Sequence, residues 1–121
     1  MIKHIVVSSG GPSGFIDFGI LKYLFNQNYL NYNNIESLYG TSIGSLICCV
    51  MCLKLNIEIF ENFLINRNWD KYINLSFSKL YYSLSNNHLI DEKFIYDFLK
   101  PLLLYSDLSE NITLLEFYNV T

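Results

Sequence analysis

The 121-residue sequence contains no alanine, only two prolines and six glycines, and just 16% charged residues. Basic side chains are few: eight Lys and Arg stand against eleven Asp and Glu, a net charge of −3. The chain therefore lacks the basic footprint that nucleic-acid binding requires. Three cysteines, Cys48, Cys49 and Cys52, lie in one apolar stretch, with no spaced framework for disulfides. A reducing, cytoplasmic location is expected. The first apolar run, residues 2–7, stops at Ser8 without the small-residue cleavage site of a signal peptide. The most apolar run, residues 43–53, is about half the ~20 residues of a spanning helix, so lipid contact is expected only at a membrane surface. Two histidines, His4 and His88, make no metal constellation. No metal and no cofactor is expected.

What the chain has in quantity is Asn and Ile, fourteen of each, and ten Tyr. A hydrophobic fraction of 51% and an aromatic fraction of 17% are too high for disorder. The length suits one domain.

Residues 2–7 are mostly apolar and β-branched and run into Ser8-Ser9-Gly10-Gly11-Pro12-Ser13-Gly14, the pattern of a buried strand feeding a glycine loop. Phe15, Ile16, Phe18, Ile20, Leu21, Leu24 and Phe25 then recur at helical spacing, with Ser13 as the expected N-cap. A second strand is expected over residues 35–39, and an apolar helix over 43–53. Together these form an α/β architecture: a βαβ unit with parallel strands, ending in a strand-to-helix turn. Residues 57–64 form an amphipathic helix, while residues 67–90 are irregular with one helical stretch around 77–84. Asp91 is positioned to cap a helix through Phe94, Phe98 and Leu102 that Pro101 should kink or limit. Thr113 and Glu116 make a capping-box pattern for a last helix ending near Tyr118. Two strands and several apolar helix faces do not close a parallel sheet, which is normally covered on both faces. The sequence looks unfinished.

Gly40-Thr41-Ser42-Ile43-Gly44 has the Gly-x-Ser-x-Gly form of a nucleophile elbow, in which the glycines permit a sharp strand-to-helix turn that lifts the serine hydroxyl to the top of the sheet. Three such positions would coincide by chance about 4% of the time in a chain of this length. The alternative is a glycine-rich turn with a capping serine. The loop Gly10-Gly11-Pro12-Ser13-Gly14 sits at the same end of the neighbouring strand, where its N–H groups can serve an oxyanion. Pro12 has no N–H, which leaves Gly10 and Gly11 as donors. Phosphate binding is the rival use of that loop. It fits less well, because Ser9 stands where a Gly-x-Gly-x-x-Gly ending at Gly14 needs its first glycine, and no Gly-Lys-Ser/Thr occurs.

These motifs resemble those of the patatin-like phospholipases, which pair a Gly-Gly-Gly-x-Arg/Lys-Gly loop after the first strand with a Gly-x-Ser-x-Gly elbow some thirty residues later. The matching stretches are Ser9-Gly10-Gly11-Pro12-Ser13-Gly14 and Tyr39-Gly40-Thr41-Ser42-Ile43-Gly44. Ser9 replaces the first glycine and Ser13 the basic residue. The resemblance is specific over residues 4–53 and weaker over 91–121. It implies a three-layer parallel-sheet fold, of which residues 1–121 form the N-terminal portion, truncated after the first βαβ unit and its following helices. It also implies hydrolysis of lipid or phospholipid esters by Ser42, with an aspartate from a later Asp-Gly-Gly/Ala motif as base. The sequence contains no Asp-Gly pair, so the dyad is expected to be incomplete here.

Several alternatives remain on the residues. A Ser42, Asp70, His88 triad has the chain order of α/β-hydrolases, but its last two members fall in helical or irregular sequence. Cys49 and Cys52 have redox or zinc spacing, yet they are expected to be small hydrophobes on the helix behind the elbow. Trp69, Tyr72, Tyr81 and Tyr82 could face lipid, or be ordinary core and rim aromatics. At the level of function, the rivals are an inactive fragment that binds lipid or protein and a nucleotide-binding βαβ domain.

Overall fold

A computed structural model describes residues 2–69 and 92–121. The expected helical stretch at 77–84, and Asp70, Tyr72, Tyr81, Tyr82, His88 and Asp91, lie outside the described residues. The chain divides into two compact units, one of Met1–Ile57 with Ile112–Thr121 and one of Glu58–Asn111.

In the first unit, β1 (His4–Val7) and β2 (Ser37–Gly40) pair in parallel, with Ile5 opposite Leu38 and Val7 opposite Gly40. Parallel neighbours need a crossover, and α1 (Gly14–Asn26) supplies it, entered through a single 3-10 turn at Gly11–Ser13. A second 3-10 turn, Tyr32–Asn34, is capped by Asn31, whose side chain accepts from the Asn33 N–H at 2.9 Å. The Ile35 N–H donates to Tyr32 O and so belongs to this turn. For that reason β2 begins two residues later than the apolar pattern suggests. Glu36 and Ser37 then both donate to Lys3 O, which starts the ladder.

Ile5 and Val7 of β1 join Leu21, Leu30, Ile47, Cys48 and Met51 in a buried cluster, with Leu24, Phe25, Tyr32 and Leu38 packed against it. The expectation of a buried strand holds for one face only. Val6 is 77% exposed, because the packing reaches only one face of the pair. Its register partner Tyr39 is exposed beside it. At the start of the strands His4 Nδ1 lies 2.8 Å from Ser37 Oγ, and Lys3 pairs with Glu36 at 2.5 Å. Tyr32 donates to Leu55 O at 3.0 Å, and burial raises its phenol above the ordinary tyrosine value.

The apolar run after the elbow forms α2 (Ile43–Cys52). It stops where Lys54 enters the left-handed region at φ 50° and the Leu53 and Lys54 N–H groups turn back to Val50 and Met51. Cys48 is buried on it. Burial, helped by the neighbouring Cys49 and Cys52, pushes the Cys48 thiol up to about 11, and burial also raises the other two. Protonated and inward-facing, Cys48 serves as a small hydrophobe. The last element of this unit, α5 (Leu114–Val120), opens with a full capping box: Thr113 Oγ1 accepts from the Glu116 N–H, and Glu116 Oε2 accepts from the Thr113 N–H at 2.8 Å. The Thr113 N–H and hydroxyl, both donating to Oε2, hold the Glu116 carboxyl below its ordinary range. The helix runs two residues past the expected end at Tyr118.

The second unit joins α3 (Ile57–Asn66) and α4 (Glu92–Tyr105) through rings. Phe98 meets Phe63 edge-on at 5.5 Å and Phe60 at 6.4 Å, geometry worth about 0.5–1.5 kcal/mol per pair beyond burial. The Arg67 guanidinium lies over Phe63, Trp69 and Phe98 at 5.1 to 5.6 Å. Pro101 does not limit α4, which continues to Tyr105. An interior proline costs about 3 kcal/mol, while Leu102 and Leu103 beyond it are both buried and return about 1.5–3 kcal/mol each. Among the described residues no helix is long and apolar enough to cross a membrane.

The raised Cys48 value gives an alkaline test. Folded protein keeps the thiol proton to about pH 11, whereas an unfolded cysteine releases it near 8.5. The stability contributed by that proton is complete below the unfolded value and is lost as pH rises through the folded one. Urea unfolding should show a smaller decline from about pH 8.5 to 11 in Cys48→Val than in wild type. Identical declines would mean that Cys48 is not held protonated.

Candidate active site

The elbow is built by a shortage of space. The Thr41 N–H prolongs the ladder by donating to Val7 O at 3.2 Å, and the chain must then reverse into α2. Gly44 donates to Thr41 O at 3.0 Å and Ser45 to Ser42 O at 2.9 Å, closing the turn. A Cβ on Gly40 would lie 2.6 Å from Ser45 Cα, and one on Gly44 would lie 2.8 Å from both the Val7 carbonyl carbon and Ser8 O. Real Cβ atoms do not approach backbone so closely, so only glycine fits at either place. Ser42, between them, takes φ 55° and ψ −124°. For a residue with a side chain such a conformation costs about 1–3 kcal/mol.

The Ser42 side chain makes no capping hydrogen bond. The reading of Ser42 as a mere capping residue is therefore corrected. Its backbone is outside the extended region that a capping serine adopts. The residue is exposed, and among the described residues no carboxylate or imidazole is bonded to its hydroxyl. Asp17 is half-buried in the first turn of α1. His4 is paired with Ser37 where the strands begin, at the other end of the sheet from Ser42.

The glycine loop is anchored to the same end. Its start, Val7 and Ser8, abuts Gly44, and at its close a Cβ on Gly14 would come within 3.0 Å of the Ile43 side chain. The loop between them turns at Gly11, in the left-handed region at φ 54°. Ser13 does not cap α1 as expected. It is already helical at φ −67°, and its hydroxyl donates backwards to Gly10 O at 3.0 Å. Gly14 instead donates its N–H to the carbonyls of Gly11 and Pro12. Among the described residues the N–H groups of Gly10 and Gly11 donate to no protein acceptor, and neither does that of Ile43, the first residue of α2. The Gly-x-Ser-x-Gly pattern places Ile43 in the turn but does not mark its free donor. The signal was available, since the first N–H groups of any helix lack intrahelical partners. With α1 and α2 both beginning here, two positive helix ends meet at this edge of the sheet. Among the described residues no group of three or more His, Cys, Asp or Glu side chains could hold a metal.

Strain and close approach predict opposite outcomes for adjacent substitutions. Ser42→Gly should raise the midpoint of thermal unfolding, because glycine tolerates the positive φ, by an equivalent of about 1 kcal/mol. Gly44→Ala should lower stability by about 1–3 kcal/mol, through displacement of the Val7 and Ser8 backbone. A Ser42→Gly protein that melts below wild type would show that the serine is not strained.

The sequence model of the patatin-like phospholipases matches residues 5–120. Among curated proteins, the uncharacterized protein R571 of Acanthamoeba polyphaga mimivirus is 34% identical over 80 residues, covering 66% of this chain and 27% of its own. The uncharacterized protein L620 of the same virus is 28% identical over 90 residues, covering 71% of this chain and 24% of its own. The chain thus spans about a quarter of the length of these relatives. No solved structure matches it. With the parallel β1–β2 pair (all but His4), the glycine loop and the strand-to-helix serine turn inside the matched segment, the chain belongs to the patatin-like phospholipase family.

Proposed function

We propose that this chain supplies the nucleophile and the oxyanion donors of a lipid acyl hydrolase. The reading rests above all on Ser42: its hydroxyl is exposed and unbonded on a backbone at φ 55°. Strain of that size persists where surrounding structure enforces it, and it clusters at functional sites. In the proposed reaction Ser42 Oγ attacks the carbonyl carbon of a lipid or phospholipid ester while its proton passes to a general base. The carbonyl oxygen becomes an anion that accepts from the N–H groups of Gly10, Gly11 and Ile43. Each such donor is worth about 10²–10³ in rate. Collapse expels the alcohol, which takes the proton back from the base. Water then cleaves the acyl-serine by the same route.

The base is proposed to come from outside these 121 residues, as an aspartate. No Asp-Gly pair is present, and the relatives are far longer than this chain. A serine hydroxyl without its base loses about 10⁴–10⁶ in rate. The substrate is expected to be met at a membrane surface.

Three assays test the reading. In a longer protein that includes a downstream Asp-Gly region, Ser42→Ala should abolish ester hydrolysis, and a fluorophosphonate should label wild type at Ser42. The 121-residue chain should turn over little p-nitrophenyl ester or vesicle phospholipid. Wild-type turnover by the Ser42→Ala protein would remove Ser42 from the mechanism. Robust, Ser42-dependent turnover by the short chain would place the base within it.

A further inference from the structure

We infer that Ser13 is a positioning residue whose hydroxyl sets the Gly10–Gly11 peptide plane so that the Gly11 N–H is presented as an oxyanion donor. The inference rests on the oxyanion role proposed above for this loop. Gly10 O accepts two hydrogen bonds from Ser13, one from its N–H at 3.1 Å and one from Oγ at 3.0 Å. The peptide that carries this oxygen also carries the Gly11 N–H. A trans peptide is planar, with its C=O and N–H pointing in opposite directions. Holding the oxygen towards Ser13 therefore turns the Gly11 N–H away from it, where no described protein group accepts it.

This plane would otherwise be easy to rotate. A peptide flips by changing ψ of one residue and φ of the next, and here both flanking residues are glycine, with no Cβ to resist. The turn that follows, Gly11–Ser13, is three residues long. It is too short to stabilise itself cooperatively. Of the two restraints on the oxygen, the hydroxyl is the one a side chain can add. Gly10 is coupled to the same bond, because a Cβ there would collide with Ser13 Oγ and drive it off the carbonyl. Ser13 also stands where the motif of the resembling family carries a basic residue. In this chain the position gives a short hydroxyl that orders the loop from within, rather than a charge.

The test compares wild type with Ser13→Ala, Ser13→Thr and Gly10→Ala. In ¹⁵N-labelled 121-residue chain, the Gly11 amide should give one sharp resonance, broadened or doubled by Ser13→Ala and restored by Ser13→Thr. In the longer protein, phosphonylation of Ser42 should slow about tenfold in Ser13→Ala, a fraction of the ~10²–10³ of a donor lost outright, and recover in Ser13→Thr. Gly10→Ala should resemble Ser13→Ala, and combining the two should cost no more than either alone. A Gly11 amide unchanged by Ser13→Ala overturns the inference whatever the chemistry does. An altered amide with unaltered phosphonylation overturns its catalytic half. If wild type takes up no phosphonate, the Ser42 reading itself fails, and the amide spectra alone decide whether Ser13 sets the peptide plane.

Discussion

The first turn of α2 lies so close to the ends of both strands that no Cβ fits at Gly40 or Gly44, and the rest of the site follows from that approach. Because the helix starts against the Val7 and Ser8 backbone, only Thr41 and Ser42 remain to reverse the chain. Ser42 absorbs the reversal with a positive φ. The conformation survives because α2 is held elsewhere. Ile47, Cys48 and Met51 are each almost wholly buried in the cluster beneath the sheet, and a side chain of that kind contributes about 1.5–3 kcal/mol. Their sum exceeds the 1–3 kcal/mol of local strain. The core thus determines where the serine sits.

Much of this was legible in the sequence because the chain uses glycine sparingly. Five of its six glycines, all but Gly19, fall in the two turns, so they marked the loop and the elbow with little background. The β-branched run before the loop and the Thr113, Glu116 pair were equally readable, since both depend on local pattern. What was missed depends on partners distant in sequence or on competition between bonds. Ser13 has the residue type and position of an N-cap, but the Gly10 carbonyl is within reach and takes its proton. Val6 looked like core because hydrophobicity does not reveal which face of a strand is covered. Pro101 looked like a stop because the ring packing around Phe98 and the burial of Leu102 and Leu103 are tertiary facts.

The electrostatics of the site differ from what a basic loop would give. Ser13 carries no charge, and the chain as a whole is acidic. Positive potential at the sheet edge therefore comes from peptide groups: the free N–H donors of Gly10, Gly11 and Ile43 and the two helix ends behind them. Such dipoles are oriented by the fold itself and need no rotamer to be ordered.

The second unit carries a property of a different kind. Trp69 is the single tryptophan of the chain. Its indole N–H donates to Leu64 O at 2.7 Å, its ring is 6.4 Å from Phe98, and the Arg67 guanidinium lies over it. Intrinsic tryptophan emission therefore originates wholly within the ring cluster of α3 and α4. The unit with the glycine loop and Ser42 contributes only tyrosine absorbance and fluorescence among the described residues. Excitation at the red edge, where only tryptophan absorbs, therefore follows the second unit alone, with no dye or label attached.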